Sequence, residues 1–349
     1  DTSDFEPDED YYDAEFTSDM GVVGLEHKYF FNSGTYLKTV VAVTGQRIGF
    51  EVDSISPINL GETRLYEEQM NNTDVRVSTY LNQKVNTRNT FRGGVIASRK
   101  FFDLYARGRD DEDNQFKDFL RNDGSADVFQ AYGQWKNKFH KNWTLNAGLH
   151  GLYFQLNNNY SIEPRVGLSW NFTEGQSLSF GAGLHSRLED MSAYMAQQQR
   201  ADGSFFLPNR DLDLTKSIHY VIGYDRMLNE HLHLKTEVYY QSLYDVPVEN
   251  DVTSPNSALN ASSGFTTDDF VNEGTAYNVG AEITFERFFN KGSYYMFTGS
   301  IFDSKYKPLD GNTYNGRYNA NYRFTLLGGK EYKVGKAKKN LLGINLKGI

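Results

Sequence analysis

The chain reads as an all-β protein, a transmembrane antiparallel β-barrel, on three observations. Apolar and polar residues alternate with a period of two over long segments. Charged residues repeatedly occupy the polar face of those segments. The connections between segments alternate between short and long.

In NWTLNAGLHGLYFQ, Trp143, Leu145, Ala147, Leu149 and Tyr153 share one face, opposite Thr144, Asn146, Gly148 and His150. In EHLHLKTEVYY, Leu232, Leu234, Val238 and Tyr240 oppose His233, Lys235, Glu237 and Tyr239. SIEPRVGLSWNF, QSLSFGAGLHSR and AYNVGAEITFERFF repeat the pattern. About fourteen such segments are predicted, over 19–31, 35–52, 72–86, 88–108, 125–138, 141–155, 160–172, 177–187, 217–228, 231–247, 271–289, 293–306, 318–334 and 340–349. Many exceed the roughly 5–6 residues of an ordinary globular strand; a tilted strand crosses a bilayer in about 9–11 residues, and longer ones can project beyond it.

Tight turns are expected near 32, at 86–89, around His140, at 173–176, 228–230, 290–292 and 335–339. Longer polar loops are expected at about 53–71, 109–124, 188–216, 248–270 and 307–317, with 157–159 a short exception. Short turns on one rim and long loops on the other suit an outer-membrane barrel, and a soluble sandwich gives no reason for them.

The polar faces carry Arg165, His219, Asp225, Lys235, Glu237, Glu282 and Arg323. A dry core would bury these charges at several kcal/mol each unless paired, whereas a wide aqueous lumen leaves them solvated. Arg165, Lys235, Glu237, Glu282 and Arg323 are therefore predicted to line the lumen. The apolar faces then meet lipid, with Trp143, Tyr153, Trp170, Phe172, Tyr240 and Phe285 as candidates for the aromatic girdles.

Composition agrees. No run approaches the roughly 18 apolar residues of a membrane helix, and mean hydropathy is −0.61, but strands that are only half apolar escape such averages. With 24 Tyr, 25 Phe and 31 Gly against 7 Pro, the chain suits a large sheet. A net charge of −9 argues against a nucleic-acid partner. The absence of cysteine excludes a disulfide scaffold, a thiolate zinc site and a cysteine nucleophile.

Longer stretches carry a family likeness: FGAGLHSRLEDM, LPNRDLDLTKSIHYVIGYDRMLNEHLHLKTEVYYQSLYDVPVE, NEGTAYNVGAEITFERFFNKGSYYMFTGSIFDSKY and RYNANYRFTLLGGKEYKVGKAKKNLLGINLK. Over about 180–346 the chain resembles the TonB-dependent receptors of the Gram-negative outer membrane, most closely those of the Bacteroidetes type; residues 1–160 are compatible but less distinctive. The resemblance implies a 22-stranded barrel filled by a plug domain. It also implies energy-coupled import of a scarce nutrient, such as a siderophore, an oligosaccharide or a peptide, with a TonB-type coupling protein acting through the plug. It leaves room for a surface lipoprotein partner, and outer-membrane lipid surrounds the wall. The sequence departs from the family in showing no plug, no coupling box and no closing aromatic strand. Residues 1–349 are therefore expected to be one domain, the barrel portion of a larger polypeptide, covering roughly strands six to nineteen.

The loop 188–216 is the foremost binding candidate. Tyr194, Gln197, Gln198, Gln199, Arg200, Phe205, Phe206, Asn209 and Arg210 offer amides, cations and aromatic faces of the kind that make a selective pocket, although an ordinary packing loop with a helical turn at MSAYMAQQQR fits too. His231 and His233 make only a weak metal pair beside a turn, without a third ligand nearby. The acidic runs DTSDFEPDEDYYD and RDDEDN lack the spacing of a calcium loop, and the second could instead open a short helix. No catalytic motif, metal site or cofactor site is found, so a transporter rather than an enzyme is expected. The rival readings are a passive outer-membrane channel and a soluble secreted glycan-binding β-protein.

Overall fold

The computed structural model describes residues 11–56, 58–110, 114–200, 202–260, 266 and 268–349. The first ten residues of the acidic amino-terminal run, and residues 111–113 of the second, lie outside them.

Fourteen strands form one antiparallel path: β1 (Tyr12–Asn32), β2 (Thr35–Ile55), β3 (Glu62–Lys84), β4 (Asn89–Arg109), β5 (Phe116–His140), β6 (Trp143–Phe154), β7 (Asn159–Thr173) and β8 (Gln176–Arg187), and then, beyond the next loop, six more. That loop holds α1 (Met191–Tyr194) and the small hairpin β9 (Gln198–Gln199) and β10 (Phe205–Phe206). The path resumes with β11 (Thr215–Asn229), β12 (Leu232–Glu249), β13 (Phe270–Asn290) and β14 (Ser293–Lys307). β15 (Tyr314–Asn315) pairs on β14, and β16 (Tyr322–Val334) and β17 (Asn340–Gly348) end the path. Neighbours on the path are consecutive hairpins, so the topology is a simple meander.

The register carries each strand's alternation across the sheet. Thr144, Ser169, Ser179, Gly223, Glu237, Glu282, Ser300 and Arg323 face one another in one unbroken row. Trp143 meets Trp170 on the opposite face, their rings stacked at 5.1 Å, and Tyr220 meets Tyr240 there. Burial shows which face is enclosed. Ile162, Ile222 and Val238 are more than half exposed, while Glu163 on the charged face is 1% exposed. Apolar residues outward and charges sheltered is the reverse of a soluble sandwich, and it is what a lipid-facing wall requires.

Several strands are far longer than a bilayer crossing, and the outer face shows where the crossing stops. On β4 the outward residues Phe91, Val95 and Ala97 give way to Arg99, which pairs with Asp127 at 2.7 Å. Higher still, Arg64 pairs with Asp53 and Glu51, both at 2.6 Å. Charges on the outer face belong in water, so the upper halves of β2 to β5 rise above the hydrocarbon.

This corrects two expectations. The loops expected at 53–71 and 109–124 are mostly strand: Ile55 pairs with Glu62, and Ala106 with Leu120. Hairpin pairing simply continues above the hydrocarbon, where the outer face is charged and the inner face carries only scattered apolar residues such as Tyr66, Met70 and Leu120, so no regular alternation marks it. The helix suggested for DDEDNQFKDFL gives way to strand from Phe116 onward.

Candidate functional site

The loop between β8 and β11 folds inward over the charged face rather than standing clear of the sheet. Tyr194, Met191, Met195, Leu212 and Leu214 pack on Phe102, Leu104, Leu120, Val128 and Phe154 of the wall. The Tyr194 ring lies 5.2 Å from that of Phe154, and both are fully buried. Burial pushes the Tyr194 phenol up from its ordinary pKa, so it stays neutral. The long-loop half of the inner face therefore carries an apolar floor, while the rest of that face stays polar.

Hydrogen bonds to backbone tie the loop down at several points. Asn209 is completely buried; its side-chain N–H donates to the Asp268 carbonyl at 2.9 Å, and its oxygen accepts from the Phe270 N–H at 2.8 Å. Asn157 and Asn159 both donate to the Leu212 carbonyl, at 2.7 and 2.9 Å. At the other end Glu189 accepts from the Thr215 hydroxyl at 2.6 Å and pairs with Arg187 at 2.9 Å.

The predicted binding residues divide accordingly. Tyr194 and Asn209 are anchors, and Gln197 clips the Arg121 backbone, accepting from its N–H at 3.0 Å and donating to its carbonyl at 3.4 Å. Gln198, Arg200, Phe205 and Phe206 form the β9–β10 hairpin at the loop tip. There the Arg200 guanidinium sits 4.4 Å above the Phe206 ring, and Phe205 is about half exposed. Asp202 accepts from the Ser204 hydroxyl and N–H, at 2.6 and 2.9 Å, which holds its carboxyl below the usual carboxylate range. Arg210 reaches the surface at the loop's return. The tip presents an amide, a cation and an aromatic face to solvent, the set that grips a polar ligand with a flat or apolar part.

Beneath the loop lies a cavity of about 390 Å³, between residues 188–192 and the inner face of β1 to β4. Gln46, Asn72, Asp190 and Ser192 line it, together with Asp74 and Lys100, which pair at 2.9 Å. The five predicted lumen residues share this same inner face. Lys235 and Glu237 pair at 2.9 Å, Glu282 faces Glu237 across the strands, and Arg323 closes the row beside Ser300. Arg165 pairs with Glu163 at 2.6 Å.

Glu163 was not singled out in the sequence, yet it is the hub of the wall. It accepts from Arg165, from the Ser161 and Ser186 hydroxyls at 2.9 and 2.5 Å, and meets His150 Nδ1 at 3.0 Å. The only sequence signal is alternation placing it inward; its partners come from three different strands. His231 lies in the turn and His233 pairs with Asp225 at 2.8 Å, and among the described residues no cluster has the donors for a metal ion.

A family model described as "TonB dependent receptor-like, beta-barrel" matches residues 1–343. This chain belongs to that family. TonB-dependent receptors of this kind are β-barrels of the Gram-negative outer membrane, and the charge-in, apolar-out wall fits that location. Among solved structures, the ferric-catecholate import receptor Fiu from K12 E. coli is similar over 94% of this chain and 53% of its own, at 13% identity and a TM-score of 0.65. The siderophore receptor PiuA from Acinetobacter baumannii is similar over 92% of this chain and 53% of its own, at 14% identity and a TM-score of 0.63. The RagAB peptide importer is similar over 96% of this chain and 44% of its own, at 12% identity and a TM-score of 0.58. The chain thus spans about half the length of these structures, and at such identities the likeness is one of fold. No curated protein matches the sequence.

Proposed function

We propose that the chain forms the wall and ligand-capturing loops of an outer-membrane importer, driven by a TonB-type coupling protein through a plug domain outside this chain. Further strands would close the wall into a 22-stranded barrel. The single observation that supports this most is the sheltered charged face under an inward-folded loop with a ligand-sized cavity beneath it, which would line an aqueous passage. The hairpin residues Gln198, Arg200, Phe205 and Phe206 would meet the nutrient first, with Arg210 beside them. Tyr194, Gln197 and Asn209 would hold that hairpin in place, and Arg165, Lys235, Glu237, Glu282 and Arg323 would line the route or face the plug. The cargo would be a siderophore, a peptide or an oligosaccharide, and a surface lipoprotein would be a natural lid for a receptor of the RagAB kind. No residue is assigned a catalytic role.

The test is uptake by cells carrying the full-length protein, over a panel of ferric siderophores, peptides and oligosaccharides. Import of one class should stop when the proton-motive force is collapsed. It should also fall at low ligand concentration in the Arg200→Ala/Phe206→Ala double variant. Uptake indifferent to the proton-motive force would favour the passive channel; a protein that stays dissolved without detergent would favour the soluble glycan binder.

A further inference from the structure

The charge of this chain is distributed very unevenly between its two rims. The seven short connections, each taken with four flanking residues on either side, hold fourteen lysines and arginines against three glutamates. That rim is therefore eleven charges positive in a chain whose net charge is −9. Compensation differs too. On the long-loop side Arg64, Arg107, Lys117, Arg187, Lys216 and Lys305 each hold a carboxylate. On the short-turn side Lys38 and Lys235 hold Glu26 and Glu237, whereas Arg88, Lys138, Lys141, Lys291, Lys336, Lys338 and Lys339 hold none among the described residues.

Their depth is also defined. The outward rings of Phe139, Trp143, Trp170 and Phe172 form a chain of contacts, with centroids 5.1 to 6.2 Å apart. These rings lie within about three residues of the turns that carry Lys138 and Lys141 and that join β7 to β8. Farther round, Arg287 lies 6.0 Å over the outward Tyr295 ring beside Lys291. Aromatic girdles mark the interface between hydrocarbon and headgroups, so cations just beyond them stand at the level of lipid phosphates.

Resting on the outer-membrane reading above, we propose that the short-turn rim is a docking surface for anionic phospholipid headgroups of the leaflet it faces, held by the unpaired lysines and arginines behind the aromatic girdle. Unpaired cations repel one another unless counter-charge is supplied, and a sheet of lipid phosphates supplies it along the whole row of turns. An acidic protein segment would cover only part of that row. A lysine or arginine near an anionic surface favours the charged lipid about fivefold at low salt.

The experiment uses the full-length receptor in vesicles, reading the relative association of spin-labelled phosphatidylglycerol and phosphatidylcholine with the protein. The wild type should prefer phosphatidylglycerol about fivefold at low salt and lose most of that preference at about 0.5 M salt. The five-lysine variant K138Q/K141Q/K336Q/K338Q/K339Q, which leaves Arg88 and Lys291 in place, should lose most of that preference at low salt. All five side chains are exposed and unpaired, so the variant should retain a folded, heat-modifiable barrel. Lys305→Gln/Lys307→Gln, at the long-loop side, should leave the ratio unchanged. A wild-type ratio of one, or one that the five substitutions do not move, would overturn the proposal and leave an acidic protein segment as occupant. A protein that does not enter vesicles as a barrel would instead overturn the outer-membrane reading itself.

Discussion

Val238→Arg tests the assignment of faces at its most sensitive point. Val238 is more than half exposed, points outward with Ile222 and Ala281 beside it, and sits between Tyr240 and the Leu234–Phe285 pair. A strand rising about 3.4 Å per residue at a tilt near 40° climbs roughly 2.6 Å per residue along the bilayer normal. Val238 is six residues above the start of β12 at Leu232, so it stands about 16 Å from the short-turn end, near the middle of an apolar band about 25 Å tall. An arginine there should cost about 2–4 kcal/mol. Leu234 is four residues closer to the turn, about 10 Å lower, where the cost of arginine falls to roughly 0–1 kcal/mol. Lys235→Leu, on the inner face, gives up its pair with Glu237, in which both groups are well over a quarter exposed, and should cost no more than about 1 kcal/mol. The assay is reversible folding of the full-length receptor into lipid vesicles along a denaturant titration. Equal losses for the three variants, or a neutral Val238→Arg, would refute the assignment of faces and the depth argument together.

The loop anchors allow further tests. Tyr194→Ala should remove most of the loop's grip on Phe154, at about 3–5 kcal/mol of docking energy, and open the segment around Arg200 to limited proteolysis while the barrel stays heat-modifiable. Asn209→Ala would orphan the Phe270 N–H and the Asp268 carbonyl, at about 1–3 kcal/mol each, and hydrogen exchange at Phe270 should accelerate sharply. Glu163→Gln removes the buried carboxylate that Arg165, Ser161 and Ser186 share, while Arg165 itself is about half exposed and stays solvated, so the folded barrel should lose about 1–3 kcal/mol in the same titration, and an unchanged stability would show the hub to be dispensable. Asp202 should titrate below the ordinary aspartate value of about 3.9 by NMR. The hairpin support it gives through Ser204 is therefore present above that value and lost as pH falls through the depressed one.

Strand content, the identity of the two faces and the sidedness of the connections were legible in the sequence because each is local. Period two in 142–155 or 230–240 follows from which way successive side chains point, and the sheet's register then carried those faces across to Arg323 unaltered. Legibility ended above the hydrocarbon. There β2, β3 and β5 are charged on the outer face, and the inner face carries only scattered apolar residues such as Tyr66, Met70 and Leu120, so no regular alternation announced that 53–55, 62–71 and 116–124 are strand.

What the chain order could not contain is who meets whom across the wall. Tyr194 and Asn209 looked like binding groups because aromatics and amides in a loop have that chemistry. Only the fold brings Phe154 and Phe270 to them, 40 and 61 residues away, and turns them into anchors. Glu163 likewise acquires its role from β6, β7 and β8 together. A pattern along one strand reports the medium each side chain faces, whereas a binding loop and a charge network depend on separations closed only when the sheet curves and the loop folds into it.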